Sequence, residues 1–260
     1  MPEITVNGVT LHHEELGKGE PILCIHGTGS SVELWRDAGA ELAKLGRTVL
    51  YDRRGFGRSE RPQPLLMDVG LHADDAAALL EALDASPAVV VGRSHGGEVA
   101  LDLALRHPER VRALALLEGG GLMLSEGFRR WCDGLHQRLF AAAEADMATA
   151  GETFLRDVVG DEGWEALPAP VRATFAANGP AIVAEERGGL LDVTVEQLRT
   201  LAVPALVVAG RASPPEFGEA MELAAGAIPG AELVWIESGH LIDPAHPAVV
   251  RFVEQVLALR

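Results

Sequence analysis

The sequence predicts an α/β protein: a mostly parallel, eight-stranded sheet flanked by helices, with a block of helices inserted late in the chain. Three observations predict it. Short β-branched apolar runs alternate with amphipathic stretches, the rhythm of strands joined by right-handed helical crossovers. That rhythm lapses between about Leu122 and Leu198, where only helical periodicity is found. Ser94, Glu118, His240 and the His26-Gly27-Thr28 segment each follow the end of an apolar run, and active groups of parallel sheets gather at the C-terminal strand ends.

Taken in order, residues 3–9 and 11–16 read as two strands turning at Asn7-Gly8, an antiparallel edge. Residues 21–25 are continuously apolar, hence a strand covered on both faces. They run into His26-Gly27-Thr28-Gly29-Ser30-Ser31, small residues that let backbone N–H groups point into a cleft. Ser30 or Ser31 also suits the cap of a helix over 32–45. A buried strand at 48–51 leads into Asp52-Arg53-Arg54-Gly55-Phe56-Gly57-Arg58-Ser59, where Asp52 is expected to accept hydrogen bonds from loop amides and arginines. A helix is expected over 71–83.

Strand 88–91 enters Gly92-Arg93-Ser94-His95-Gly96-Gly97, and a helical pattern follows at once. Gly92 and Gly96 stand where a Cβ would collide with crossing backbone, so the turn pushes the Ser94 hydroxyl out of the sheet. It aims the His95 N–H at the same space, at a helix N-terminus that favours developing negative charge. The plainer alternative is a glycine-rich turn with a serine cap. The helix stops near His107-Pro108. Strand 111–117 ends in Glu118-Gly119-Gly120-Gly121, a carboxylate on the functional edge of the sheet. Helical stretches at 128–143 and 171–184 mark the insertion. Strand 204–209, helix 216–225, strand 232–236, Ser238-Gly239-His240 and a helix over 247–259 complete the chain. Residues 1–121 and 199–260 are thus expected to form the core domain and 122–198 a helical cap over its site.

A chain of 260 residues with 48% hydrophobic content suits one core with an insertion. No apolar run approaches the ~20 residues of a membrane span. A net charge of −16 argues against nucleic acid or an anionic membrane as partner. Met1-Pro2-Glu3 has neither a basic nor an apolar leader, so no signal peptide is expected. Cys24 and Cys132 lie far apart, in a strand and a helix, with no disulfide and no metal-ligand neighbour expected. A reducing, cytoplasmic setting fits.

A serine hydroxyl needs a base within hydrogen-bond reach, and histidine titrates near working pH. Among the histidines, His240 follows the last strand, beside Gly239. His26 and His95 suit structural or cleft-lining places, while His12, His13, His72, His107, His136 and His246 fall on edges, helices or surface turns. The expected oxyanion donors are the N–H groups of His95 and of Gly27 or Thr28. Leu122, Met123, Phe128, Trp131, Leu135, Trp164, Phe175 and Ile182 either line an apolar pocket or only pack cap helices together. An apolar lining implies a hydrophobic small-molecule substrate. No metal or organic cofactor is needed.

The His26-Gly27 loop, the Asp52-to-Ser59 turn, the Gly92-to-Gly97 elbow and Ser238-Gly239-His240 together resemble the α/β-hydrolase fold family over nearly the whole chain. The resemblance implies a serine hydrolase with an acyl-Ser94 intermediate. In most relatives the acid partner of the histidine follows the strand at 204–209. Here that loop is Gly210-Arg211-Ala212-Ser213-Pro214-Pro215-Glu216: the aspartate position holds Ser213, and Glu216 opens a helix. The family's other placement follows the preceding strand, where Glu118 stands. Glu118 is therefore the expected acid, with Glu216 as the alternative. An acid there is similar to the zearalenone lactonase subgroup, although the cap tryptophan of that subgroup has no match near Asn178 to Val183. The implied reaction is hydrolysis of an ester or lactone by a monomer or homodimer. The rivals are carbon–carbon bond hydrolysis, a perhydrolase reaction, or a receptor that keeps its triad.

Overall fold

The computed structural model describes residues 2–259. β1 (Glu3–Val6) and β2 (Val9–Leu16) form a hairpin whose turn residues, Asn7 at φ 46° and Gly8 at φ 71°, are both left-handed. That turn matches the twist of an antiparallel pair. β2 runs antiparallel to β4 (Arg47–Tyr51). From there all neighbours are parallel: β3 (Pro21–Ile25), β5 (Ala88–Arg93), β6 (Val111–Leu117), β7 (Ala205–Gly210) and β8 (Glu232–Ile236). The eight strands lie in the order β1-β2-β4-β3-β5-β6-β7-β8.

The continuous apolar runs resolve into two faces because side chains alternate along a strand. Leu23, Ile25, Val49, Val90, Leu114, Leu116 and Val207 pack against α2 (Val69–Ala82), α3 (His95–Arg106) and α9 (Pro215–Ala227). Their neighbours Ile22, Cys24, Leu50, Val89, Val91, Ala115 and Val208 meet Trp35, Leu42 of α1 (Arg36–Leu42), and Val249, Phe252 and Val253 of α10 (Pro247–Ala258). The expected helix over 32–45 is shorter, opening as a 3-10 turn over Val32–Trp35 and ending with α1 at Leu42.

Between β6 and β7 lie α4 (Glu126–Ala145), α5 (Ala150–Ala166), α6 (Ala169–Ala177), α7 (Gly179–Gly188) and α8 (Val195–Leu198). They carry a cluster of their own, in which Leu135, Leu139, Phe154, Leu155, Trp164, Phe175 and Ile182 pack with Phe56 and Met67 of the core loops. The single helix expected over 171–184 is two helices. Pro180 offers no N–H to continue the first. The Asn178 side chain at the break donates to the Gly29 carbonyl at 2.9 Å and accepts from Arg61 at 2.8 Å, tying the insertion to the loop after β3. Among the described residues no helix is long and apolar enough to cross a membrane, and both cysteines are free.

Candidate active site

Ser94 directly follows β5 at φ 56° and ψ −128°, a backbone conformation that costs a residue with a side chain about 1–3 kcal/mol. The neighbours enforce it. The Ser94 N–H donates to the Leu117 carbonyl at 2.9 Å, and α3 starts at the next residue. A Cβ on Gly96 would stand 2.2 Å from the Ile25 carbonyl oxygen, and one on Gly119 would stand 1.9 Å from that of Ser94. Only glycine lets these backbones cross, and the crossing leaves Ser94 lining two adjoining cavities. The G-x-S-x-G spacing is the sequence record of that crossing.

Glu118 directly follows β6 beside it, also left-handed at φ 44°, with its N–H on the Val208 carbonyl at 3.0 Å. Its buried carboxylate accepts at Oε1 from the Gly210 N–H at 2.6 Å. Oε2 accepts from Ser213 Oγ and from His240 Nδ1, both at 2.8 Å. Glu118 is therefore the carboxylate that meets His240, while Glu216 stands in the first turn of α9, where a carboxylate suits the helix dipole. With Nδ1 held by the carboxylate, His240 keeps Nε2 as a proton acceptor. Its ring lies 4.4 Å, centroid to centroid, from Phe217. Ser94 and His240 wall the same two adjoining cavities.

The loop after β3 rests against the serine. A Cβ on Gly27 would stand 3.2 Å from Ser94 Cβ. Thr28 lines both cavities, and His95 opens α3, where the first N–H groups have no partner within the helix. His26 fixes that loop: its Nδ1–H donates to the Gly27 carbonyl at 2.8 Å and its Nε2 accepts the Arg53 N–H at 3.0 Å. Asp52 accepts from the N–H groups of Val32 at 2.7 Å and Arg58 at 2.9 Å, a loop-holding task as expected. Glu98 does the same for the turn after Glu118, accepting from Gly120, Gly121 and Leu122. Burial pushes its carboxyl up to about 7, against the pull of those amides.

Leu122, Phe128, Trp131 and Leu135 line the cavity at Ser94, and Phe175 lines the adjoining one. Met123, Trp164 and Ile182 line neither. Met123 packs partly buried against the core cluster, whereas Trp164 and Ile182 are buried among the helices inserted between β6 and β7. Phe154, Val158, Cys132, Glu186, Leu190 and Phe217 complete the wall and were not expected there. Phe217 had one signal, its place just beyond the Ser213 loop.

Two polar clusters lie behind this wall. Arg53, fully buried, forms a charge pair with Glu185 of α7. His72 Nε2 and His95 Nε2 stand 3.1 and 3.4 Å from Glu185 Oε1. Burial pushes the His95 imidazole down to about 3 and lowers those of His72 and His26. Burial alone would raise the Glu185 carboxyl, but Arg53 and the two rings hold it well below the usual carboxylate range. His72, expected among the histidines of edges, helices and surface turns, lies on α2 and is buried, with its Nε2 beside Glu185 of α7.

The second cluster corrects the reading of Cys132 as having no metal-ligand neighbour, while His136 lies on a helix as expected. Four residues apart on α4, they share one face, with Cys132 Sγ 3.6 Å from His136 Nε2. Glu186 Oε2 of α7 stands 3.0 Å from the same nitrogen.

A family model described as the alpha/beta hydrolase fold matches residues 20–243. The chain is 30% identical to the 2-hydroxymuconate semialdehyde hydrolase of Pseudomonas putida, over 98% of this chain and 93% of that protein. For several other curated relatives the match spans about half of their length. Among solved structures, a thermophilic esterase from Thermogutta terrifontis superposes with a TM-score of 0.81 at 25% identity, covering 99% of this chain and 100% of that one. Est816, an N-acyl homoserine lactone degrading enzyme, superposes with a TM-score of 0.78 at 27% identity, covering 100% of both chains.

Proposed function

This chain belongs to the alpha/beta hydrolase fold family, and from that premise we propose that it is a serine hydrolase cleaving a carboxylic ester or lactone of a hydrophobic small molecule. The observation that carries the reading is the 2.8 Å contact between His240 Nδ1 and Glu118 Oε2, in a ring that shares a cavity with Ser94.

The steps follow from the residues. Ser94 Oγ attacks the substrate carbonyl carbon as His240 Nε2 takes its proton. Glu118 holds the imidazole in the Nδ1–H tautomer and stabilises the imidazolium that forms. The negative charge on the substrate oxygen falls to the N–H of His95 and that of Gly27 or Thr28, each such donor being worth roughly 3–4 kcal/mol. The C–O bond to the leaving group breaks, the alcohol leaves with the proton from His240, and acyl-Ser94 remains. Water, deprotonated by His240, releases the acid. Residues 122–198 act as the cap, and the apolar wall of Leu122, Phe128, Trp131 and Leu135 favours a hydrophobic acyl or alcohol group. A macrocyclic lactone of the zearalenone type is one candidate.

A second reading, hydrolysis of a carbon–carbon bond next to a carbonyl, is favoured by the near full-length match to the P. putida semialdehyde hydrolase. Turnover of a short p-nitrophenyl ester, a medium-chain ester, zearalenone and a vinylogous diketone, each with Ser94→Ala as control, separates the readings. Ser94-dependent release of acid from an ester or lactone is expected. Turnover of the diketone alone would transfer the assignment to carbon–carbon chemistry. A fluorophosphonate adduct on Ser94 without turnover of any substrate would point to a binding role.

A further inference from the structure

We propose that Cys132, His136 and Glu186 form a three-ligand site for a zinc-like divalent cation, its open coordination position facing the cavity that holds Ser94. One sulfur, one ring nitrogen and one carboxylate oxygen lie within 4.8 Å of one another. A tetrahedral zinc with ordinary bond lengths sets sulfur and nitrogen about 3.6 Å apart and nitrogen and oxygen about 3.3 Å apart. The observed separations are 3.6 and 3.0 Å, each within about 0.3 Å of those tetrahedral values. The mixture of thiolate, imidazole and carboxylate suits a borderline-soft ion rather than magnesium or calcium.

The scaffold holds these groups before any ion arrives. Cys132 and His136 are fixed on one helix face, and Glu186 comes from a second helix. The His136 ring stacks on Phe140 with centroids 5.4 Å apart. Cys132 and Glu186 line the Ser94 cavity whereas His136 does not, so the three ligands leave the cavity side open. Three protein ligands with one open position is the arrangement that takes a water or a substrate oxygen. An ion there would replace the protons the three groups now share and would anchor an oxygen of the substrate away from Ser94. The other buried set, His72, His95 and Glu185, carries no such proposal, because the Arg53 guanidinium already occupies Glu185.

The test is titration of metal-free protein with Co2+. One ion per chain is expected, with a near-ultraviolet thiolate-to-cobalt band and the intense visible bands of four-coordinate cobalt, both bleached by equimolar Zn2+. Cys132→Ser should lose the near-ultraviolet band, and His136→Gln should weaken binding at least about tenfold. A second readout uses the unaltered chain. Both cysteines are buried, but Cys132 lines the Ser94 cavity and Cys24, in β3, lines neither cavity, so Zn2+ should slow iodoacetamide alkylation of Cys132 at least about tenfold, with Cys24 as the unreactive internal control. Ser94→Ala should bind the ion unchanged, which separates this site from the hydrolase reading. Absence of the thiolate band, its survival in Cys132→Ser, or alkylation indifferent to Zn2+ would overturn the proposal.

Discussion

Ser213 Oγ donates to the same oxygen of Glu118 that accepts from His240 Nδ1, each at 2.8 Å. Ser213, at the position where the family resemblance implies an acid, thus touches Glu118, the proposed acid, so the two positions are neighbours across two strand ends. Glu118→Gln should lower kcat by about 10²–10⁴-fold, because an amide no longer fixes the imidazole tautomer. Ser213→Ala removes one neutral hydrogen bond and should cost less than about tenfold. Glu118→Gln with Ser213→Asp returns a carboxylate to reach of His240 and should recover at least about tenfold over Glu118→Gln alone. Steady-state kinetics on one ester decides it, and a double variant no better than the single one would show that the Ser213 position does not serve the ring.

The crossing of Ser94 and Glu118 depends on Gly119. A Cβ there meets Ser94 O at 1.9 Å and Ser94 C at 2.7 Å, both backbone atoms that cannot rotate away. Gly119→Ala should therefore destabilise the fold by about 3–5 kcal/mol. Gly226 lies in α9 with nothing within 4 Å of its virtual Cβ. Gly226→Ala should stabilise by about 0.5–1 kcal/mol, since alanine loses less backbone entropy in a helix. Urea unfolding of both variants measures the difference, and similar midpoints would contradict the crossing as described.

Strands β3, β6 and β8 match their expected limits because continuous apolar runs bounded by turn residues leave little freedom in register. The order of the site segments was legible too, since parallel strands deliver their C-terminal ends to one edge. What escaped the sequence depends on which residue of the helical insertion comes to lie over which core residue. Ile182 and Phe154 are both apolar residues on helices of the insertion, yet only Phe154 reaches the cavity. Glu185 and Glu186 are consecutive, and helix geometry sends one to Arg53 and the other to His136. The i, i+4 spacing of Cys132 and His136 was visible in the sequence, but its third member was not.

Acid should destabilise this fold in a defined window. His26, His72 and His95 are held neutral by burial, with pKa values below the ordinary ~6.5 and that of His95 down to about 3. Below ~6.5 the unfolded chain binds protons that the folded chain refuses, so stability falls with falling pH until the folded values are reached. Glu98 opposes this: its carboxyl, up to about 7, takes a proton more readily in the folded state and favours folding as pH drops below 7. The buried carboxyls of Asp52, Asp102 and Glu186 and the His136 ring are raised as well and oppose the loss, but the carboxyls start from ordinary values below 5, so it is between pH 6.5 and 5.5 that the three buried histidines prevail, with a net loss of about 1–2 kcal/mol per pH unit. Urea midpoints from pH 7 to 4.5 report the slope, and His72→Gln should flatten it. Stability constant across that range would mean that the rings take protons in the folded state.

Phe154 stands between the two cavities that Ser94 and His240 share, lining both. The volume of the larger-walled cavity is only ≈ 30 Å³, about one water molecule's share of the liquid. A hydrophobic acyl group enters such a space only if cap side chains move, and Phe154, projecting from α5, is the bulkiest one bridging both cavities. Phe154→Ala should merge them. Removing a ring buried to 93% is expected to cost about 3–5 kcal/mol of stability, because the cap cannot fully collapse onto the gap. The same gap should accept a longer chain, raising kcat/KM for a medium-chain ester relative to a short one by about tenfold or more, in line with the 1–3 kcal/mol that a few buried methylenes are worth. Measuring the ratio of the two specificity constants cancels any loss of folded enzyme. A ratio unchanged from wild type would show that the acyl group takes another path past the cap.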